Sequence, residues 1–378
     1  MKYNKSVYFF YYDWWKNIDK FIFSLIILLF LIGLFFSLVS TSLIASDKLE
    51  TNDYSFFFKH LIFILIGLVV ILVLSSINQE KLFRYSLLIF FISLIFLISV
   101  PFIGIEVKGS KRWIDLDFLP RFQPIELVKP FLIIFISLIL SSKKYSNIHI
   151  KYLFTFFTTL CVALLLALQP DIGQTLLIFS IWSILIFISG INIILLFLLF
   201  FGLIITFSYL VFFVTKFAYI KNRLLSFINS EKGTYNFQSD KAIDSITSGG
   251  FFGKGVGEGT LKNRVPEAHT DYIISVISEE FGVIAIILIL LLFLILAYSI
   301  FKKVYFEDNE KIKLILVGCN CLIFMQAIIH IGVNIRIFPT TGMTLPYISY
   351  GGSSIISISI LSGIILNLTK RKINFYEK

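Results

Sequence analysis

The chain has 378 residues, of which 57% are hydrophobic and only 15% are charged, and its formal net charge is +10. Its apolar residues come in runs of about 20, the length that spans a bilayer, which indicates an integral membrane protein. Most basic residues lie at the ends of these runs rather than on one soluble face, so membrane topology explains the charge and no nucleic-acid partner is indicated. The three cysteines, all inside apolar segments, support neither a disulfide framework nor a cysteine-based zinc site.

The apolar pattern predicts an all-α polytopic membrane protein with about ten transmembrane helices. The first segment is too long for a cleaved signal peptide. An even number of spans puts both termini on one side, which holds 17 Lys and Arg residues against 16 on the other. Eight of those 16 lie in the long segment 216–271, and long loops are largely exempt from the positive-inside rule, so the side of the termini is predicted to be cytoplasmic. The predicted segments are 21–45, 56–76, 86–104, 126–141, 153–168, 172–189, 191–215, 272–301, 314–335 and 348–368.

The connection from Val107 to Pro124 carries a cluster of cations beside Trp113: Lys108, Lys111, Arg112 and Arg121. Cations and an amphipathic aromatic residue suit the headgroup level of a bilayer. Two interpretations stay open, an interfacial anchor and a site for an anionic lipid substrate.

The fourth segment opens with Gln123 and Pro124, followed by Glu126 and Lys129 at the spacing i, i+3. On a helix this spacing allows a salt bridge, and ionisable residues near bilayer depth are functional candidates because burying them is costly. Structural pairing and a role in substrate binding are both compatible with the pattern.

Two further polar residues have structural interpretations. Asp171 precedes the sixth segment, where a carboxylate favours the helix dipole, so we expect a helix cap. His330 lies well inside the ninth segment, and we expect a hydrogen-bonded packing residue rather than a metal ligand.

A single membrane domain, 1–378, is predicted to contain a large extracytoplasmic loop, 217–270, between the seventh and eighth helices. The loop has no fold signature of its own. Its glycines between Gly249 and Gly259 do not form a nucleotide-binding motif, since no Gly-Lys-Ser/Thr opens a helix. They predict close backbone approach to a ligand, with Lys254 and Lys262 available for anionic oxygens, or a flexible loop.

A helix beginning at Pro266 would place Glu267, Asp271, Ser275 and Glu279 on one face at i+4 steps. Because lipid cannot solvate these carboxylates, we expect the face to line a cavity or to meet Lys129 or another cation. Two acids at i, i+4 favour a proton acceptor near neutral pH or a divalent cation site, and the sequence leaves both open. With nearby cations to stabilise a departing phosphate, this is a layout for a transferase.

Five ordered motifs resemble the SEDS (shape, elongation, division, sporulation) family over all ten segments. They are Gly109-Ser-Lys-Arg-Trp113, Gln123-Pro-Ile-Glu126 with Lys129, Gln169-Pro-Asp171, Pro266-Glu-Ala-His-Thr-Asp271 with Glu279-Glu280, and the run from Pro339 to Ser354. Ala268 and the run from Gly342 to Pro346 are more similar to the division members than to the elongation members.

The resemblance implies a peptidoglycan glycosyltransferase in the bacterial cytoplasmic membrane. It would polymerise lipid II, the undecaprenyl-pyrophosphate-linked disaccharide peptide, on the extracytoplasmic side. The implied partners are a class B penicillin-binding protein, which crosslinks the product, other division proteins and membrane lipid. No cofactor is certain, and a divalent cation is the one open possibility.

Carried over by motif, the family's essential aspartate falls on Asp271, which the resemblance implies is the general base on the acceptor sugar hydroxyl. The implied substrate-binding candidates are Lys111, Arg112, Gln123, Glu126, Lys129, Arg223, Lys262, Glu267, His269 and Thr270. The chain departs from the family pattern at Ile125, Gln174 and Thr341, and the missing cation at 341 puts in doubt a phosphate contact from the last loop.

Three alternative functions are considered. An elongation polymerase would share the chemistry. A flippase or transporter of a lipid-linked precursor would fit ten spans with buried charges, although no inverted repeat with paired broken helices is visible. A scaffold that only recruits division proteins would not need Asp271.

Overall fold

The computed structural model describes residues 12, 14–41, 54–107, 110–116, 119–143, 147–228, 237–261 and 265–370. In this part of the chain, ten helices are long enough to cross a bilayer, which confirms the predicted fold class. They are α1 (Lys20–Thr41), α2 (Ser55–Ser76), α3 (Gln79–Ile103), α4 (Pro124–Leu140), α5 (Ile148–Leu168), α6 (Ile172–Ile188), α7 (Ile193–Phe213), α10 (Ile273–Tyr305), α11 (Glu310–Asn334) and α12 (Gly352–Leu368).

Seven of these helices in the described ranges are both long and apolar enough to be spans on their own. The other three, α4, α6 and α12, have 17 residues each. At 1.5 Å per residue such a helix is about 26 Å long, the lower end of the range that spans a hydrocarbon core. Helices α4 and α12 are largely buried inside the bundle, and α6 is buried along one face.

The centre of the bundle is α12, in which every residue from Ser354 to Leu368 except Ile356 is buried. It packs against α2 through small residues: a side chain added at Gly67 would meet Ser359 Oγ, and one added at Gly363 would meet Leu74. Such small residues let helix backbones approach closely, which is how helices associate in lipid. The core is therefore built by backbone proximity as well as by apolar packing.

The opposite case is α7, whose residues are all described and among which Val211 is the single buried one. Most of its aromatic and aliphatic side chains are exposed to the surroundings of the bundle, while Leu195, Leu196 and Leu199 are partly buried against the core. A helix that is apolar on all sides and hardly packed must be covered by lipid.

The connection after α3 forms a small antiparallel sheet that the sequence pattern did not predict. Its strands are β1 (Ile105–Val107), β2 (Ser110–Leu116) and β3 (Leu119–Phe122), in the order β1-β2-β3. Glu106 pairs with Lys111, and Ile114 pairs with Phe122. The sheet carries three residues of the predicted cation cluster, Lys111, Arg112 and Arg121, whereas Lys108 lies outside the described residues.

The long loop contains two helices, α8 (Ala218–Ile228) and α9 (Phe237–Gly249), although its sequence has no fold signature of its own. A 3₁₀ turn at Thr215–Phe217 leads from α7 into α8. Arg336 Nη1 pairs with Asp240 Oδ1 at 2.8 Å and so ties α9 to the connection after α11. We call the end of the bundle that carries the sheet, α8 and α9 the loop side.

The helix predicted from Pro266 begins only at Ile273, so a continuous face from Glu267 to Glu279 is wrong. Residues 265–272 form turns in which Glu267 has a φ of 57°. A second interruption follows at Gly282, where φ is 76° and ψ is −179° inside α10. The eighth segment is therefore a turn, a short helix and a long helix.

Candidate active site

A cavity of about 580 Å³ opens on the loop side, within the usual size range of ligand pockets. Its walls come from the sheet, the first turns of α4 and α6, α8, the turn at 265–272 and the connection between α11 and α12. Seven of the predicted site residues line it: Arg112, Gln123, Glu126, Arg223, Glu267, Thr270 and Asp271. The fold thus brings distant motifs together in one place.

Asp271 ends a turn whose backbone is held from within and from outside. Within the turn, the Glu267 carbonyl accepts the amides of Thr270 and Asp271 at 3.1 Å each, and the Glu267 carboxylate accepts the Thr270 hydroxyl at 3.1 Å. From outside, Asn334 Nδ2 donates to the Asp271 carbonyl at 3.1 Å and Ser349 Oγ donates to the Thr270 carbonyl at 2.7 Å. Glu267 therefore shapes the turn that carries Asp271.

Asp271 and Arg112 approach the same point beside Gly342. A Cβ added to Gly342 would lie 3.7 Å from Asp271 Oδ2 and 3.8 Å from Arg112 Nη1. Gly342 itself has a φ of 72°, a conformation that favours glycine. A carboxylate and a guanidinium thus face one space beside the connection between α11 and α12, which we call the last loop.

Arg112 is fixed on the far side of this space by the turn between α5 and α6. Its Nε donates to the Gln169 carbonyl at 3.0 Å, and its Nη2 donates to the Pro170 carbonyl. Its Nε also lies 3.9 Å from Asp171 Oδ2. A guanidinium held by several acceptors is aimed before any ligand arrives.

Asp171 caps α6 as predicted, accepting the Gln174 amide at 3.4 Å. It also accepts a hydrogen bond from Gln123 Nε2 at 3.0 Å. Asp171 thus positions Gln123 and Gln174, which both line the cavity. Burial raises the pKa of the Asp171 carboxyl, and the charge of Arg112 opposes that rise.

Glu126 and Lys129 form the predicted pair, with Lys129 Nζ 2.8 Å from Glu126 Oε1. Both side chains are buried. Lys129 also donates to Gln326 Oε1 at 3.2 Å, and Gln326 Nε2 donates to the Thr344 carbonyl at 3.0 Å. The network joins α4, α11 and the last loop, and only Glu126 among its charged members reaches the cavity wall.

Arg223 enters the cavity from α8, and its Nη1 donates to the Thr340 carbonyl at 3.0 Å. This bond connects the long loop to the connection between α11 and α12. Arg223 and Arg112 are then two guanidinium groups on the wall of a cavity that also contains Asp271.

Other predicted site residues lie elsewhere. Lys111 is exposed on β2 and Lys129 is buried behind Glu126, so neither lines the cavity. The His269 ring packs against Phe56 and Tyr350, with ring centroids 4.8 Å and 6.0 Å apart. Lys262 lies outside the described residues.

Glu279 is buried and turned toward the long loop. Its Oε2 accepts Ser245 Oγ at 2.8 Å, and its Oε1 accepts the Leu261 amide at 2.8 Å and lies 3.6 Å from Lys254 Nζ. Glu279 therefore meets a cation other than Lys129, and it fastens the loop to α10. His330 is buried with Nδ1 2.7 Å from the Met343 carbonyl, so it has the hydrogen bond expected of it.

Two cavity-lining residues were noted in the sequence only as departures from a family pattern. Gln174 donates from Nε2 to Glu126 Oε1 at 3.0 Å, and Thr341 stands beside Gly342 on the cavity wall. A periodicity argument could not find them, because both act through contacts with residues far away in the chain.

In the described ranges, no three His, Cys, Asp or Glu side chains lie close enough together to hold a metal ion. Glu267 and Asp271 both line the cavity, but they belong to a turn rather than to one helix face.

The chain matches known proteins over nearly its whole length. It is 33% identical over 375 residues to a probable peptidoglycan glycosyltransferase FtsW of Haemophilus influenzae, covering 94% of this chain and 93% of that one. It is 30% identical over 368 residues to a probable peptidoglycan glycosyltransferase FtsW of Caulobacter vibrioides, covering 96% and 92%.

Two solved structures share the fold. A chain of a peptidoglycan synthase complex that coordinates polymerization and crosslinking aligns with a TM-score of 0.77 at 24% identity, covering 93% of this chain and 97% of that one. The rod shape determining protein RodA of Thermus thermophilus aligns with a TM-score of 0.68 at 24% identity, covering 93% and 96%. The protein is thus a multi-pass membrane protein, as the apolar helices indicated.

The model of the FtsW, RodA and SpoVE family, described as cell cycle protein, matches residues 19–374. This match covers nearly all of the chain, including every residue that lines the cavity. The chain therefore belongs to the FtsW, RodA and SpoVE family of cell cycle proteins, the family that its motifs resemble.

Proposed function

We propose that this chain is a peptidoglycan glycosyltransferase that polymerises lipid II into glycan strands during cell division. The observation that carries the proposal is that Asp271 Oδ2 and Arg112 Nη1 flank Gly342 in one cavity on the loop side. The relatives named as probable peptidoglycan glycosyltransferases support the same reaction class.

In the proposed reaction, Asp271 accepts the proton of the acceptor sugar 4-hydroxyl as its oxygen attacks the anomeric carbon of the donor. The new glycosidic C–O bond forms while the C–O bond to the lipid pyrophosphate breaks, and the pyrophosphate leaves with its electron pair. A carboxylate within reach of the hydroxyl provides general base catalysis. The hydrogen bonds around the turn support this role because they hold the backbone that carries the carboxylate in place before substrate binds.

The two guanidinium groups suit the leaving group. Arg112 and Arg223 line the cavity and are each anchored by backbone carbonyls. A fixed guanidinium in a site that excludes water stabilises developing negative charge more than a mobile one does. We propose that they contact the pyrophosphate, and that Gln123, Glu126, Glu267 and Thr270 shape the sugar sites.

We propose supporting roles for the remaining candidate residues. Lys111 would meet the charged parts of the substrate outside the cavity, Lys129 would hold Glu126, and His269 would pack beneath the turn. Lys262 stays a candidate for contact with the substrate. A divalent cation at the pyrophosphate stays an open possibility. Residues 1–378 would act as one domain, with 217–270 as its large loop.

We propose that both termini are cytoplasmic and that the cavity opens on the extracytoplasmic side, at the division septum. Outside the long loop, Lys and Arg are in excess on the side of the termini, which supports this orientation. The likeness to a chain of a peptidoglycan synthase complex supports a partner that crosslinks the glycan, and we propose a class B penicillin-binding protein together with other division proteins.

The test is polymerisation of purified lipid II by the reconstituted chain together with its penicillin-binding protein. We expect Asp271→Asn to abolish glycan synthesis and to keep the thermal unfolding midpoint. The matched control is Asp244→Asn, which removes an exposed carboxylate on α9 and should keep full activity. Activity of the Asp271→Asn enzyme would contradict the general-base role. Movement of the lipid without formation of glycosidic bonds would favour a transporter.

The division role has its own test. A fluorescent fusion of the chain should concentrate at the septum of dividing cells. Uniform labelling of the side wall would instead indicate an elongation polymerase with the same chemistry.

A further inference from the structure

The long loop repairs a break in a membrane helix. At Gly282 the helix α10 loses two of its own hydrogen bonds, those from the amides of residues 283 and 284 to the carbonyls of residues 279 and 280. Residues 249–255, which we call the bridging loop, replace them. The Val283 and Ile284 amides donate to the Gly250 and Phe251 carbonyls at 3.0 Å and 3.4 Å.

The exchange is reciprocal. The Lys254 amide donates to the Glu279 carbonyl at 2.9 Å, and the Gly255 amide donates to the Glu280 carbonyl at 3.0 Å. All four backbone groups freed by the break are thus satisfied, as a low-dielectric environment demands. Close contact is possible because Gly282 has no side chain: a Cβ there would lie 2.1 Å from the Phe251 carbonyl oxygen.

The position of this break along α10 gives its depth. Lys302 and Lys303 lie in the last turn of α10, at the opposite end from the loop side. Gly282 and Lys302 are separated by 20 residue steps, which correspond to about 30 Å of helix, the thickness of a hydrocarbon core. Phe281, next to the break, packs edge-on against Phe36 in the half of α1 nearer the loop side, with ring centroids 5.4 Å apart.

The bridging loop carries two bulky apolar side chains at this level. Phe251 is 74% exposed and Phe252 is 83% exposed. The Phe251 carbonyl is bonded to the Ile284 amide, so the pair lies beside the first turn of the long part of α10. That part continues with exposed apolar residues that face away from the bundle: Ile284, Ile287, Leu288 and Leu291.

We propose that Phe251 and Phe252 insert into the loop-side leaflet of the bilayer and anchor the bridging loop there. Lipid is the occupant that the position favours. The two rings lie where the span of about 30 Å ends, they continue a surface that lipid already covers, and aromatic side chains are enriched at this boundary. Lys254 follows them, and its partly exposed ammonium stands at the height of the headgroups.

The anchor would reach the cavity through covalent connection. The short helical stretch between Ile273 and Gly282 joins the Asp271 turn to the break, and Glu279 within it is bonded to the loop. A bridging loop held in the leaflet therefore fixes the height of Asp271 relative to the membrane surface. The inference concerns lipid contact and does not depend on the reaction proposed above.

The test is photo-crosslinking of the full chain in nanodiscs of defined phosphatidylglycerol and phosphatidylethanolamine. Benzoylphenylalanine replaces Phe252, with Ile287 as a lipid-facing control and Lys241, partly exposed on α9, as a control on the water side. We expect mass spectrometry to find lipid adducts at positions 252 and 287 and none at 241. Adducts at 287 without adducts at 252, or attachment of position 252 only to this chain, would overturn the proposal.

A second measurement covers failure of the benzoylphenylalanine variant to fold. Phe252→Trp adds one indole, whose fluorescence should be quenched by lipids brominated high on the acyl chain and protected from aqueous acrylamide. The unchanged protein supplies the background from its own four tryptophans. Added fluorescence that acrylamide quenches and brominated lipid does not would equally overturn the anchor.

Discussion

Gln174 Nε2 donates a hydrogen bond of 3.0 Å to Glu126 Oε1, the same oxygen that lies 2.8 Å from Lys129 Nζ. One carboxylate oxygen deep in the bundle thus accepts a neutral donor from α6 and a charged donor from its own helix. The first prediction concerns this amide. Gln174→Leu should lower the free energy of unfolding by about 1–3 kcal/mol, because a buried acceptor loses a partner.

The measurement is thermal or denaturant unfolding in detergent. The matched control is Ser180→Ala on the same helix, whose exposed hydroxyl is bonded only to the carbonyl of Leu176 in its own helix. The control should change stability by less than about 0.5 kcal/mol. Equal stability of the two variants would contradict the role given to Gln174.

The second prediction concerns the Glu126–Lys129 pair, measured by a double-mutant cycle. Glu126→Gln should cost about 3–5 kcal/mol, because it leaves the Lys129 charge buried without a counter-charge. Adding Lys129→Met should recover much of that loss. The exposed pair Lys241 and Asp244, also at i, i+3 and 3.4 Å apart, is the control and should show coupling of about 0.2–0.5 kcal/mol. Similar coupling in the two pairs would contradict a strong buried interaction.

The third prediction concerns the helix break. Gly282→Ala should destabilise the protein and expose the bridging loop to protease, because the added Cβ would collide with the Phe251 carbonyl and because φ is 76°. Gly202→Ala in α7 is the control, since nothing lies within 4 Å of its Cβ position. That control should be stabilising by up to about 1 kcal/mol as a helix substitution. Unchanged cleavage of Gly282→Ala would show that the loop does not depend on the glycine.

The fourth prediction separates geometry in the cavity from backbone strain. Gly342→Ala should lower the rate of lipid II polymerisation by about tenfold or more, because its methyl group would enter the space between Asp271 and Arg112. Gly257→Ala has a comparable φ of 84° but nothing within 4 Å, so it pays the same backbone strain outside the cavity. Gly257→Ala should keep its activity. Equal loss of activity in both variants would assign the effect to strain alone.

Hydropathy alone located the transmembrane helices closely. The second segment was predicted at 56–76 and the helix is Ser55–Ser76, and the sixth was predicted at 172–189 and the helix is Ile172–Ile188. The third helix begins at Gln79 rather than 86, because its polar first turn is capped by Asn78, whose side chain accepts the Glu80 amide at 3.2 Å. Transfer into lipid determines the apolar part of each span, and hydropathy measures that transfer directly. Hydropathy does not detect the polar first turn of a helix.

Hydrophobic periodicity does not predict the turn and the helix break at the start of the eighth segment. The positive φ of Glu267 and the break at Gly282 are stabilised by partners far along the chain, among them Asn334 and the bridging loop. A pattern read over 18 residues does not contain those partners. The three-stranded sheet was missed for a related reason, since its strands have three, seven and four residues.

The sequence predicts those site residues that are ionisable and belong to motifs. It does not predict which residues line the cavity where tertiary contacts determine their position. Asp271, Arg112 and Glu126 were all candidates from the sequence, and all three line the cavity. Lys129 was a candidate for the same reason, but it lies behind the wall because Glu126 and Gln326 hold it there. A buried cation and a lining cation have the same sequence signal.

The turn that ends in Asp271 has three successive carbonyls, each bonded to a different neighbour: His269 to the Tyr350 amide, Thr270 to Ser349 and Asp271 to Asn334. Moving the backbone that carries the carboxylate by about an ångström would strain all three bonds at once. The reorganisation that aims a base at its hydroxyl is therefore completed once, when the chain folds, and is not repeated in each of the many additions that build a polymer.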